Sequence, residues 1–197
     1  MNPIKLKESF YLQDDVVMIT RELLGKYLLT NIDGVLCVGI ITETEAYAGT
    51  SDRASHAYGG KRSNRTEVMF HEGGIAYVYL CYGIHSLFNI VTNVENVPHA
   101  VLIRAIHPMS GIDEMLKRTK KSKTGSGLTN GPGKLSKALG IHHKHTGVSL
   151  SGNKIWLEDR GVKIDEKDIL VTPRIGIDYA GDDALLPYRF LLKGDDF

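Results

Sequence analysis

Hydrophobic and polar positions change period several times along the chain, and each change marks an element. Over residues 14–24, Val16, Val17, Ile19, Leu23 and Leu24 recur near helical spacing behind Asp14 and Asp15, which suit a helix start, and Gly25 ends the run. Tyr27-Leu28-Leu29 and Val35 to Ile41 are strand-like, and Asn31-Ile32-Asp33-Gly34 between them holds the Asp-Gly pair of a hairpin turn. That hairpin leads into Glu43-Thr44-Glu45-Ala46-Tyr47, and residues 48–66 are then polar and loop-like. Ile75 to Tyr82 is dense in aromatic and β-branched residues and reads as a strand. Leu87 to Thr92 is its returning partner, which leaves Tyr82-Gly83-Ile84-His85 at an exposed hairpin tip, and Val101 to Ile106 is another strand. Ser110-Gly111-Ile112-Asp113 resembles a capping box opening a helix toward Arg118. Residues 119–131, rich in Lys, Ser, Thr and Gly, read as a mobile stretch before a short helix near Lys134 to Leu139 that ends at Gly140. Later strands are expected around 155–158, 169–171 and 188–192. Strands joined mostly by hairpins imply an antiparallel or mixed sheet in an α+β or roll-like domain.

Composition narrows the class. With 197 residues, 42% hydrophobic and 24% charged, collagen, coiled coil and wholesale disorder are excluded, and a single domain over 1–197 is expected. Cys37 and Cys81 are too few for a disulfide framework and suit no zinc finger, so a reducing compartment is the natural reading. The first residues lack an apolar signal core and no apolar run is long enough to span a membrane, so a cytosolic protein without membrane partners is expected. The net charge of +1 conceals an uneven distribution. Residues 115–157 hold nine Lys and Arg and not one carboxylate, a local positive field that suits nucleic acid; a solvated basic loop has the same composition.

Several side chains then suggest chemistry. Strand alternation puts Glu43, Glu45 and Tyr47 on one side together with Ile41, ordinarily the buried one. A carboxylate pressed into an apolar wall holds its proton more tightly and suits general-base work; the plain alternative is an exposed strand edge. Tyr77 and Tyr79 share a strand face, whereas Tyr82 falls on the other beside Gly83, where a large side chain could wedge between base pairs. Aromatic rings also stack flat bases and prefer cationic ones. His56 lies within a basic loop that also carries Arg53, Lys61, Arg62 and Arg65. The His142-His143-Lys144-His145 tract has no accompanying carboxylate or cysteine, so no metal is expected there. Gly131-Pro132-Gly133-Lys134 lacks the full spacing of a phosphate loop, and nucleotide hydrolysis is not supported.

Glu43-Thr44-Glu45-Ala46-Tyr47, Ala54-Ser55-His56, Arg65, Met69-Phe70, Tyr77 to Gly83, Phe88-Asn89-Ile90 and Leu102-Ile103-Arg104-Ala105 together resemble the alkyladenine (3-methyladenine) DNA glycosylase family, as a bacterial member. The likeness continues through Asn130 to Leu135, Trp156-Leu157-Glu158 and Pro173 to Ile177, and so covers nearly the whole chain. The resemblance implies an α+β fold: a single mixed domain around a curved, mainly antiparallel β-sheet with a protruding β-hairpin (FMT C-terminal-like). It also implies a base-excision repair enzyme of the bacterial cytosol and nucleoid, a monomer that needs no cofactor. Its partner would be double-stranded DNA containing damaged purines: 3-methyladenine, with 7-methylguanine, hypoxanthine and ethenoadenine as further candidates. Such an enzyme flips the base out and hydrolyses the N-glycosidic bond, leaving an abasic site. Glu45 matches the general base; Tyr47, His56 and Tyr79 match the walls around the flipped base. Asn89 matches the residue that disfavours guanine, Arg104 a contact near the flipped nucleotide, and Tyr82 the intercalating residue. Arg65 and Lys134 are taken as DNA-backbone contacts. His85 departs from the mammalian pattern, which has an aromatic residue two positions past the tip glycine. The competing reading is a non-catalytic nucleic-acid-binding module that uses the basic segment and the tyrosines as a stacking platform.

Overall fold

Antiparallel pairing organises the chain. The computed structural model describes residues 4–125 and 127–194, and among these nine strands join one sheet. They are β1 (Ile4–Lys5), β2 (Tyr27–Ile32), β3 (Val35–Tyr47), β4 (Ile75–Cys81), β5 (His85–Thr92), β6 (His99–Ser110), β7 (Ile155–Asp159), β8 (Ile169–Thr172) and β9 (Arg189–Leu192). Four helices accompany them: α1 (Glu8–Tyr11), α2 (Val16–Glu22), α3 (Ile112–Thr119) and α4 (Pro132–Leu139). The strand order is β1-β7-β2-β3-β6-β5-β4, with β9 pairing both β3 and β8, in a curled half-barrel of mixed α+β architecture. The long β3 is its spine. One edge of β3 pairs first with β2 and then, from Glu43 to Glu45, with β9, while β6 runs along the other edge.

Local chemistry accounts for the boundaries. The Asp15 carboxylate accepts from the N–H groups of Val17 and Met18, so α2 begins where the acidic pair predicts. Asp33 and Gly34 both have positive φ, the conformation of a tight hairpin turn, so β2 continues through Ile32 and the turn is two residues shorter than the four-residue estimate. Tyr82 (φ 50°) and Gly83 (φ 72°) repeat that geometry between β4 and β5. The capping box expected at Ser110 does not form. Ser110 remains in β6, paired with Val38, and α3 starts after Gly111, where a Cβ would meet the Leu36 carbonyl oxygen at 2.5 Å. Part of the stretch expected to be mobile is packed. Leu128 is buried, the Thr129 hydroxyl donates to the Ile106 carbonyl, and Asn130 bridges to Ala105; residue 126 lies outside the described residues.

The sheet has two unlike faces. On one, Val78, Phe88, Ile90, Val101 and Ile103 form the main core with residues of α2, α3 and α4 such as Ile19, Met115 and Leu135. On the other, Tyr77, Val91 and Ala100 pack under Val68, Met69 and Phe70, while Ala54, Ile177 and Ala180 make a third small cluster. Simple alternation along β3 would place Ile41 with Glu43, Glu45 and Tyr47, and this expectation fails. The β3–β6 register shifts between Ile41 and Glu43 and again between Glu43 and Thr44, so Thr42 and Arg104 are each the extra residue of a bulge. Ile41 therefore shares the core face with Ala46, and the two glutamates are turned to the opposite face.

Candidate active site

The second face carries a cavity of ≈ 390 Å³, within the range of small-molecule sites. Its floor comes from successive strands: Tyr47 from β3, Tyr77 and Tyr79 from β4, Asn89 from β5 and Arg104 from β6. Its roof comes from two irregular segments, one carrying His56 and Arg65, the other Ile175 and Tyr179. The structure thus brings together every sequence-predicted base-pocket residue, with Glu45 bonded directly behind Tyr47 and Arg104.

Glu45 has no exposed surface, and the edge-strand alternative is excluded. Its Oε2 accepts from the Tyr47 hydroxyl (3.0 Å) and from Arg104 (3.2 Å), and its Oε1 accepts from the Ile175 N–H (2.9 Å). Burial pushes its carboxyl above the usual range, while Arg104, the Ile175 N–H and the Tyr47 hydroxyl pull the other way. Burial, and then the Glu45 carboxylate, hold the Tyr47 phenol well above its ordinary value, so it stays a neutral donor. Glu43 is buried too and accepts through one oxygen from both Arg104 (2.9 Å) and Arg189 (2.6 Å).

The aromatic wall is held by edge contacts. His56 meets Tyr79 edge-on, with ring centroids 4.6 Å apart, and Tyr77 lies 5.5 Å from Tyr79. Arg65 donates to Nε2 of His56 (3.0 Å), which leaves Nδ1 to donate to the Tyr77 hydroxyl (2.8 Å). Burial first, then the Arg65 and Lys61 charges, lower the His56 pKa to about 4, so the ring is neutral. The Arg65 guanidinium also covers the Tyr79 ring at 4.8 Å, so this side chain, expected on the DNA backbone, is part of the pocket wall. Asn89 is fixed by donating its amide to the carbonyls of Tyr77 (3.1 Å) and Leu87 (3.2 Å).

Tyr82 stands at the hairpin tip, 92% exposed, with Ile84 beside it at 73%. Lys134 is exposed in the first turn of α4, whose Gly133 packs against His85 of the hairpin. In the His142–His145 tract, His143–His145 form a short 3-10 turn capped by His142. His145 is buried and accepts from the His142 N–H, and the His143 N–H donates to Ser86 on the hairpin. Among the described residues no cluster of three or more His, Cys, Asp and Glu side chains could hold a metal ion. The basic segment is less uniform than its composition. Arg118 points inward to Glu114 and the Ile32 carbonyl, whereas Lys120, Lys121 and Lys123 are exposed.

Sequence reasoning assigned no role to Arg174, Asp52 or Arg189. Arg174 is buried, pairs with both oxygens of Asp52, donates to the Ala46 carbonyl and lies 4.9 Å over the Tyr47 ring. It ties the His56-bearing segment to the Ile175 segment and so fixes the N–H that reaches Glu45. The only signal in the sequence was Pro173 to Ile177 as a motif, with no spacing that reveals a partner 122 residues away.

Comparisons with known proteins follow the same outline. The family described as methylpurine-DNA glycosylase (MPG) matches residues 9–196. A Chlamydia felis protein named "Putative 3-methyladenine DNA glycosylase" is 49% identical over 189 residues, covering 95% of this chain and 96% of its own. Proteins of the same name from Bacillus cereus, 44% identical with 96% of each chain covered, and Clostridium perfringens, 43% identical with 98% of each covered, are similarly related.

Proposed function

The chain belongs to the methylpurine-DNA glycosylase family, and from that premise we propose that it flips alkylated purines, 3-methyladenine foremost, into the cavity described above and hydrolyses their N-glycosidic bond with water activated by Glu45. The protein is a DNA glycosylase, a hydrolase of N-glycosyl bonds working in DNA repair. Among the described residues, no helix is long and apolar enough to cross a membrane.

The observation that carries this reading is the wholly buried Glu45 behind a tyrosine-lined cavity. A stacking platform alone gives no reason to bury a carboxylate at a desolvation cost. Breaking the glycosidic bond builds oxocarbenium character on the sugar, and an ionised Glu45 both stabilises that charge and takes the proton of the attacking water. A purine alkylated on the ring carries positive charge and leaves as a neutral base, so no acid is needed on the leaving group. Tyr47 on one side and the His56–Tyr79 pair on the other sandwich the base, and electron-rich rings favour a cation. Because His56 is neutral, it adds no positive charge against a cationic base, and the two guanidiniums that line the cavity are engaged, Arg65 with His56 and Arg104 with Glu45. Asn89, with both amide hydrogens engaged, is a rigid wall that disfavours the extra amino group of guanine. Tyr82 fills the space left by the flipped base, while Lys134 and the exposed lysines of 117–123 contact phosphates.

The test is a panel of duplexes, each with one defined lesion, assayed for released base under single-turnover conditions with the wild type and Glu45→Gln. Release of 3-methyladenine by the wild type, with lesion binding but no release by the variant, is the expected result. Binding without release by the wild type would leave only the stacking platform.

A further inference from the structure

Glu43 has no part in the chemistry above, yet it is buried on the same strand as Glu45 and accepts from two guanidiniums through one oxygen. Its Oε1 accepts from Arg104 Nε at 2.9 Å and from Arg189 Nε at 2.6 Å, whereas Arg104 reaches Glu45 at a longer 3.2 Å. One guanidinium is thus divided between two carboxylates on the same strand, and the closer bond goes to the one that does no chemistry. Arg189, opposite Glu45 in the β3–β9 register, is anchored by the Thr172 hydroxyl at 3.0 Å. Behind this row lies a second cavity of ≈ 620 Å³, lined by Glu43, Arg189, His107 and Asn130 but not by Glu45. The bulge that inserts Arg104 into β6 is what lets a single side chain touch both acids.

We propose that Glu43 is a positioning residue for Glu45: by competing for Arg104, and by being held in turn by Arg189, it sets how much of the Arg104 charge reaches the base. The inference rests on Glu45 being the base. Its logic is electrostatic. A cation fully engaged with Glu45 would hold its carboxylate ionised but make it a poor proton acceptor; a cation withdrawn from a buried carboxyl would leave it protonated and idle. Glu43 keeps the pairing intermediate, and Arg189 limits how far Glu43 can draw Arg104 away. The other groups facing Glu45 are the Tyr47 hydroxyl on its own strand and, from the 173–185 segment, the Ile175 N–H and the Arg174 charge, itself committed to Asp52. None of these bonds Glu43, so they form a constant background to the Arg104 balance.

The experiment is the pH dependence of single-turnover release of 3-methyladenine from methylated DNA by the wild type, Glu43→Gln, Glu43→Asp and Arg189→Gln. Glu43→Gln removes the competitor and a neighbouring negative charge, so the rising limb moves to lower pH. Arg189→Gln leaves Glu43 free to draw Arg104 away, so the limb moves to higher pH. Glu43→Asp keeps the charge and returns the limb toward the wild-type position. Lower rates with unmoved limbs, or limbs moved in the same direction by both neutral substitutions, would overturn the proposal. Should Glu43→Gln not fold, the upward displacement in Arg189→Gln decides alone, and its absence rejects the idea. A Glu45→Gln control that still excises would instead discard the base assignment itself, so the two failures are distinguishable.

Discussion

The two faces of the sheet come from the same strands, residue by alternate residue, and they do opposite jobs. Phe88 faces the helices while its neighbour Asn89 lines the cavity; Ile103 faces the core while Arg104 meets two carboxylates. The helix-covered face is aliphatic and holds the fold by removing apolar area from water. The loop-covered face gathers ionisable groups whose burial shifts their affinity for protons, a weak source of stability and a strong source of chemistry. The pocket face keeps its geometry because the other face already fixes the strands. Stability and reactivity are separated by one residue of register.

Glu45 is where the two faces should differ most under substitution. Glu45→Gln should cut single-turnover excision by roughly 10²- to 10⁴-fold, the usual weight of a general base, with no loss of urea midpoint, because a desolvated charge is removed. Phe88→Ala is the converse: about 3–5 kcal/mol of stability lost by chemical denaturation, with the pH profile of the folded fraction unmoved. Arg174→Met tests the place where the separation should fail, because a buried pair ties the pocket's roof together. Leaving Asp52 unpaired should cost about 3–5 kcal/mol and also slow excision, since Ile175 loses its support. Retained stability in that variant would show the clamp to be dispensable.

Smaller effects sharpen the contrast. His56 is charged in the unfolded chain below about 6.5 but neutral in the fold until about 4, so its contribution to stability is lost as pH falls between those values. Glu45 has the opposite sign: its folded affinity for protons is raised, so stability falls as pH rises through that raised value. Urea midpoints measured from pH 4 to 8 should therefore lose one slope in His56→Gln and the other in Glu45→Gln, whereas Phe88→Ala keeps both. Tyr82→Ser belongs to neither face. On an exposed tip it should change stability by no more than about 0.5 kcal/mol, yet weaken binding to lesion duplexes. Unchanged affinity in that variant would remove the wedge from the account.

Much of the fold was legible wherever a signal is local. The Asp15 cap, the Asp33-Gly34 and Tyr82-Gly83 turns and the strands near 155, 169 and 189 follow from side-chain type and spacing within a few residues. The family resemblance singles out Tyr47, His56, Tyr79, Asn89 and Arg104, which line the cavity, and Glu45 behind them, while the tip residue Tyr82 is legible as a large side chain beside a turn glycine. Simple alternation misassigns the face of Ile41 in β3, because a bulge depends on the partner strand. The inward turn of Arg118 was hidden because composition counts charges without directions.

Neighbours along the chain specify the antiparallel character of the sheet, the hairpin with Tyr82 at its tip and the chemical types available to the site. Contacts between distant segments bury Glu45, divide Arg104 between Glu45 and Glu43, and join Arg174 to Asp52 across 122 residues. The reason is physical. Desolvation and charge pairing depend on what approaches through space, and two bulges in β3 and β6 redirect the side chains that meet there.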